Sequence, residues 1–228
     1  RRGEKRAGAS GERTAIQMKK AVWLFASLSF IFGSALSIYA TRELAWPITL
    51  GFIVLGLLAI VAAITYTMGH RAYGYKGFGD ISVLLFFGYV GVVGSYFLQA
   101  NMFNWEVFLP ATSVGMLAMG VLNLNNLRDR ETDKLHGKNT LVVMLGEKGA
   151  KIYHTLLMII AIDLAFLYNK FTVSGSWRML FFISIPLILI NLLKVLKADT
   201  PARFEPLLKQ LAISTLLFSL TFGIGQIL

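Results

Sequence analysis

Five runs of this chain carry no charged side chain over about the thickness of a bilayer: residues 21–41, 47–69, 81–105, 107–127 and 210–228. About 20 apolar residues are enough to cross a hydrocarbon core as a helix. Inside lipid the backbone must satisfy its own hydrogen bonds, which leaves helices or closed barrels. These runs are continuous rather than alternating, so they read as helices. Two weaker runs complete the set: 152–169 holds one Asp, and 179–193 is short but apolar. The expectation is an all-α, polytopic transmembrane helix bundle with seven spans, its termini on opposite sides. With 56% hydrophobic and 15% charged residues, the composition departs from that of soluble domains in the same direction.

A net charge of +10 would suit a nucleic-acid binder if the cations were clustered on one soluble surface. They are instead segregated by loop. The N-terminal tail carries seven Lys and Arg, the connection after the second span two, that after the fourth six and that after the sixth four. The alternate connections hold three between them, so the division is 19 against 3. This positive-inside pattern places the tail and the 123–151 connection in the cytoplasm, in a cell (inner) membrane, and argues for a lipid bilayer and no nucleic acid as partner. The absence of cysteine excludes disulfides and thiolate metal sites. No linker divides the chain, so residues 1–228 read as a single membrane domain. Its basic opening, RRGEKRAGASGER, resembles an interior loop, and further sequence is expected upstream.

Polar chemistry is concentrated in NLNNLRDRETDKLHGKNT, residues 123–140. An ionised Asp at a bilayer centre costs roughly 2.5–3.5 kcal/mol on insertion scales, so such clusters gather at cavities and surfaces. Asn125, Asp129 and Asp133 are spaced by four and Asn126 precedes Asp129 by three, which on a helix puts all four along one stripe, successive members rising about 6 Å. Stacked carboxylates need solvent, Arg partners or cations. Oxygen donors without His or Cys favour a hard cation such as Mg²⁺, whose shell is ordinarily completed by water and phosphate. Gly137 and Lys138 follow, offering backbone NH groups and a mobile charge for phosphate. The alternative is a solvated loop in which Arg128, Arg130 and Lys134 neutralise Asp129, Glu131 and Asp133.

A second polar island, YTMGHRAYGYKGFGD at 66–80, lies on the same face. Arg71 and Lys76 suit phosphate oxygens, and Asp80 at the mouth of the next span suits a metal or a base. Tyr66, Tyr73 and Tyr75 also fit an interfacial aromatic belt. Small residues within spans (Gly88, Gly91, Gly94, Ser95, Gly115, Gly120) read as helix-packing positions. Asp163 lies close to the extracytoplasmic end of its span, and His70, His136 and His154 have no second ligand at metal spacing.

The stretch NNLRDRETDKLHGKNTLVVMLGEKGA resembles the second Asp-rich motif of the UbiA-type intramembrane prenyltransferases, and YTMGHRAYGYKGFGDISVLLFFG resembles the other signature of their menaquinone-pathway branch. The resemblance runs over essentially the whole chain. It implies a nine-helix bundle around a cavity opening to lipid, of which this chain would lack the first two helices and the first Asp-rich motif. It implies that Asn126, Asp129 and Asp133, supported by Asn125, bind Mg²⁺ bridging a diphosphate. Arg128, Lys138, Arg71 and Lys76, with Tyr66 and Tyr73, would hold the diphosphate, and Arg6 in the opening loop resembles a further phosphate contact. Asp80 stands where the family has an acidic residue, and with Asp129 and Asp133 it makes the implied catalytic set.

The implied reaction is prenyl transfer from polyprenyl diphosphate to 1,4-dihydroxy-2-naphthoate with loss of diphosphate and CO₂, giving demethylmenaquinol. Rival readings are the same chemistry on 4-hydroxybenzoate, homogentisate or a glycerol phosphate lipid, a CDP-alcohol phosphotransferase, and a non-catalytic transporter or scaffold. The phosphotransferase reading lacks its Asp-Gly and Ala-Arg elements before Asp129. Uncharged spans weaken the transporter reading.

Overall fold

The computed structural model describes residues 15–68, 72–172, 175 and 177–228, and among these there is no strand. In chain order the elements are α1 (Ala15–Ala40), α2 (Trp46–Thr67), a 3₁₀ turn at Tyr73–Lys76, and α3 (Gly79–Val83). A π-helical stretch (Leu84–Val93) then runs into α4 (Gly94–Ala100). A second 3₁₀ turn (Trp105–Val107) leads into α5 (Phe108–Leu135), followed by α6 (Leu141–Phe171), a third 3₁₀ turn (Leu180–Ser184), α7 (Ile185–Lys197) and α8 (Pro201–Ile227).

Among the described residues seven helices are long and apolar enough to cross a membrane, in the order the uncharged runs predict. Their ends differ from that prediction. α5 continues eight residues beyond the run that ended at 127, α6 starts at Leu141 rather than 152, and α8 starts at Pro201 rather than 210. The 123–151 connection therefore shrinks to residues 136–140, and the Asp-rich stretch is helix rather than loop. The reason is physical: charged side chains at a helix end reach water along their stems, so a helix outlasts its uncharged segment.

The chain divides into two compact units, Arg1–Thr65 and Tyr66–Leu228. In the first, α1 and α2 are apolar all round, with Trp23, Phe25, Phe32 and Leu58 well exposed, as lipid-facing helices are. Ser37, Thr41 and Thr49, near the connection between them, are buried. Thr41 donates to the Ser37 carbonyl at 2.7 Å, and its oxygen lies 2.7 Å from the Thr49 hydroxyl, a bond across the short connection between the helices.

In the second unit α5 is the central element: the Trp105–Leu135 span that contains it is about half buried, whereas the Gly79–Ala100 span is mostly exposed. Leu117, Leu124 and Leu127 of α5 form one core with Leu157 and Met158 of α6 and Leu211 and Phe218 of α8. Small residues set its crossing with the π-helical stretch. A Cβ on Gly88 would stand 2.8 Å from the Ala111 carbonyl oxygen and 3.2 Å from the Gly115 Cα, so backbones touch there. Gly88, Gly115 and Gly120 thus meet the packing expectation; Gly120 is crowded by Met158 and Leu211.

Hydrogen bonds between helices add register. Ser113 donates to the Ala161 carbonyl at 2.6 Å, Asn123 to Ala150 at 3.1 Å, Asn191 to Leu207 at 2.8 Å, and Gln226 to the Asn169 side chain at 2.7 Å. Each contributes on the order of 0.6 kcal/mol in a membrane. Among the described residues Asn123 Oδ1, Asn191 Oδ1 and both ring nitrogens of His154 are buried without a hydrogen-bond partner. Asp163 is exposed on the outside of α6.

Candidate active site

The last two and a half turns of α5 carry the predicted stripe as a helical face: Asn126 and Asp133 are buried, Asn125 and Asp129 half-buried. Local chain geometry then brings a cation onto it. Gly137 adopts φ 69°, a left-handed conformation that glycine takes without a Cβ penalty, and closes α5. The NH of Gly137 bonds to the Lys134 carbonyl at 3.2 Å and that of Lys138 to the Asp133 carbonyl at 2.9 Å, the two bonds of a Schellman stop. That stop folds Lys138 back over the helix end, where its Nζ reaches Asp133 Oδ1 at 2.9 Å. The GK pair after the stripe is therefore a helix terminator that delivers an ammonium group to a carboxylate.

Arg128 does the same for Asp129 from within the helix. Its Nε and Nη2 donate to the two Asp129 oxygens at 2.9 and 2.8 Å, Nη2 also donates to Asn125 Oδ1 at 2.9 Å, and Nη1 reaches Glu205 Oε2 of α8 at 2.5 Å. One guanidinium thus joins two of the predicted metal-site residues of α5 to a second helix, α8. Behind it Glu147 of α6 takes Lys151 at 2.8 Å and Arg130 at 3.8 Å, and Lys151 caps the carbonyl of Ala198 beyond α7 at 2.5 Å.

The second island meets the first. The Asn139 NH donates to the Tyr75 carbonyl at 2.8 Å, and Lys138 Nζ lies 4.8 Å from the Tyr75 ring centroid, so the Tyr73–Lys76 turn sits against the end of the stripe. Lys76 is exposed and makes no ion pair among the described residues. Tyr66 and Tyr73 contact edge to face at 5.4 Å. Arg71, Arg6 and His70 lie outside the described residues.

Asp80 is not part of this ionic cluster. It is buried at the start of α3, and Tyr153 of α6 donates to its Oδ1 at 3.0 Å. Neither Tyr153 nor Glu205 is predicted from the sequence. Both stand on the face that the charge asymmetry assigns to the cytoplasm, Glu205 as a lone carboxylate among the cations at the start of α8, but only packing pairs them with Asp80 and Arg128.

The matching family model is described as the UbiA prenyltransferase family and covers residues 1–218. The chain belongs to that family. This UbiA-family chain is 43% identical over 215 residues to the 1,4-dihydroxy-2-naphthoate octaprenyltransferase of Escherichia coli, which spans 94% of the chain and 69% of the relative. It is 41% identical to the protein of the same description from Haemophilus influenzae (95% and 71%), and 31% identical to that from Mycobacterium leprae (83% and 64%). No solved structure matches it. Family membership and the seven helices make it an integral membrane protein.

Mg²⁺ fits the donors in kind: Asn125, Asn126, Asp129 and Asp133 offer only oxygen. In number they fit a partial shell, since no group of three or more His, Cys, Asp or Glu among the described residues is placed to hold a metal. Two carboxylates with water and phosphate are a usual arrangement for this ion.

Proposed function

We propose that this chain transfers a polyprenyl group from polyprenyl diphosphate to 1,4-dihydroxy-2-naphthoate, releasing diphosphate and CO₂ and giving demethylmenaquinol. The observation that carries the reading is the meeting of the two polar islands, Lys138 lying between Asp133 and the Tyr75 ring. The turn that bears Lys76 is thereby docked against the helix end that bears Asp133 and Lys138, and a diphosphate would need cations of this kind beside carboxylates. The descriptions of the Escherichia coli and Haemophilus influenzae relatives support the acceptor. The charge asymmetry supports a site facing the cytoplasm from the inner membrane.

In this reading Asn125, Asn126, Asp129 and Asp133 hold Mg²⁺, which when bound neutralises charge on the leaving diphosphate. Lys138, Arg128, Lys76 and Arg71 bind diphosphate oxygens, and the charges of Lys138 and Arg128, already held beside Asp133 and Asp129, cost little reorganisation as negative charge develops. Tyr66 and Tyr73 line the approach. As the bond to diphosphate breaks, the allylic carbon becomes electrophilic, and apolar walls keep water from it. The ring carbon bearing the carboxylate attacks, a C–C bond forms, and loss of CO₂ restores aromaticity without a net change in protons. Asp80 acts on the acceptor.

The test is product mass spectrometry on membranes carrying the intact protein, given polyprenyl diphosphate and 1,4-dihydroxy-2-naphthoate with Mg²⁺ or with a chelator. The expected result is a prenylated, decarboxylated product that the chelator abolishes. Prenylation of 4-hydroxybenzoate alone would move the enzyme to another acceptor, and no product with any acceptor would overturn the reading.

A further inference from the structure

The position of Asp80 separates it from the phosphate-binding end. A Cβ on the preceding Gly79 would stand 3.3 Å from Leu122 Cδ2, so the start of α3 is level with Leu122 of α5. Leu122 lies seven residues before Asp129 and eleven before Asp133, which at 1.5 Å per residue puts Asp80 about 10 Å deeper than the first carboxylate and about 16 Å deeper than the second. α6 gives the same depth from the other side. Asn123 bonds to the Ala150 carbonyl, and one turn further along α6 His154 reaches Gly120, so Tyr153 is level with residues 120–122.

At that depth the carboxylate is 6% exposed and its side-chain partner is neutral: the Tyr153 hydroxyl at 3.0 Å, from an element 73 residues away. No Lys or Arg pairs with Asp80 among the described residues. The hydroxyl of Tyr66 also closes on this spot, since a Cβ on Gly79 would stand 3.0 Å from it. A carboxylate held by a phenol and walled by a second tyrosine, deep in the membrane side of the site, is poorly suited to an anionic diphosphate. It suits an aromatic ligand bearing a hydroxyl donor.

We infer that Asp80 and Tyr153 form the subsite that receives a ring hydroxyl of the acceptor, with Asp80 accepting the hydrogen bond and Tyr153 acting as the positioning residue that holds the carboxylate toward it. This rests on the prenyl-transfer reading and adds the acceptor's place in it. As the ring carbon forms its new bond, electrons leave the hydroxyl oxygen for the ring and the hydroxyl becomes a stronger donor. The bond to Asp80 then strengthens in the transition state. The proton stays on the hydroxyl once CO₂ departs, so the step needs no co-reactant. A hydrogen bond to a charged group, set against an acceptor without one, corresponds to a tenfold or larger difference in affinity.

The test uses the full-length protein in membranes, wild type, Asp80→Asn and Tyr153→Phe, with 2-naphthoate, 1-hydroxy-2-naphthoate and 4-hydroxy-2-naphthoate as competitive inhibitors of prenyl transfer to 1,4-dihydroxy-2-naphthoate. Wild type should bind at least one hydroxylated probe about tenfold tighter than 2-naphthoate. Tyr153→Phe should shrink that preference to about threefold and raise KM for the acceptor, with KM for polyprenyl diphosphate unchanged and 2-naphthoate binding intact. An active wild type with no hydroxyl preference, or a preference that survives both substitutions, overturns the inference and leaves the prenyl-transfer reading standing. A Tyr153→Phe protein that loses affinity for all three probes and for polyprenyl diphosphate assigns Tyr153 to structure and also overturns it. A wild type unable to prenylate the naphthoate with any prenyl donor defeats the underlying reading instead. Where Asp80→Asn activity is too low for inhibition kinetics, direct titration of the purified protein with the same three probes gives the ratios.

Discussion

The end of α5 and the start of α3 both present aspartates, yet they are held in opposite ways. Asp129 and Asp133 each have a cation within 2.9 Å, a guanidinium for one and an ammonium for the other. Asp80 has a phenol. Asp133 is as buried as Asp80, so the difference lies in the partners rather than in access to water: the ionic end stands at the last turns of α5, whereas Asp80 lies two turns deeper beside apolar residues. Paired charges suit an exchange of partners, in which one ionic ligand replaces another without leaving a carboxylate bare. A phenol-held carboxylate suits a single neutral donor. The contrast divides the site into a leaving-group end and an acceptor end.

The largest expected break comes from Asp129→Asn or Asp133→Asn. Either should lower turnover at least about 100-fold, because charge stabilisation of the leaving group is the main electrostatic task. Folded protein, followed by detergent size-exclusion chromatography, should be nearly unchanged. Near wild-type turnover would remove these residues from the metal site. Lys138→Gln should come next, with KM for polyprenyl diphosphate up about tenfold and acceptor KM unmoved, since a charge-assisted hydrogen bond is lost. Steady-state kinetics in both substrates separates the two.

Glu205→Gln should cost a few-fold in kcat/KM for the diphosphate. It removes one of three Arg128 partners, and half-exposed ion pairs contribute about 0–1 kcal/mol. A loss shared equally between the two substrates would show that Glu205 braces the helices rather than aims Arg128. The smallest effect sharpens the contrast by salt. Raising ionic strength from about 0.1 to 1 M shortens the screening length from about 10 to 3 Å. KM for the diphosphate should rise by a few-fold, more than KM for the acceptor, which carries a single carboxylate; equal rises would mean that the acceptor end answers to charge as strongly as the diphosphate end.

Much of the ionic end was legible in the sequence, because α-helical spacing alone lines up Asn125, Asn126, Asp129 and Asp133 and the GK pair reads as a cation beside exposed backbone NH groups; that Gly137 also stops α5 came only from the structure. The seven spans were legible for a similar reason: lipid demands runs of apolar residues whatever the tertiary arrangement. The span ends were not, since a charged residue at an interface belongs equally to helix and loop until its side chain is placed. Nor were Tyr153 and Glu205. Each acts across 73 or 77 residues of chain, and a tyrosine near a helix end is written identically whether it faces lipid headgroups or a buried carboxylate. The docking of Tyr75 against Asn139 likewise has no local signature, being a backbone hydrogen bond between distant turns.

The π-helical stretch Leu84–Val93 gives the third span an unusual tolerance. Hydrogen bonds that skip one residue further than in an α-helix wind more residues into each turn. Asp80 lies upstream of that stretch and the Gly88 crossing within it. Loss of one residue between 89 and 93 would be absorbed by tightening a π turn to an α turn, leaving Asp80 and the crossing in register. A loss between 80 and 84 falls in the α-helical turn that carries the carboxylate itself and would rotate it away from Tyr153. Length variation in this protein should therefore be tolerated on one side of Gly88 and lethal to activity on the other.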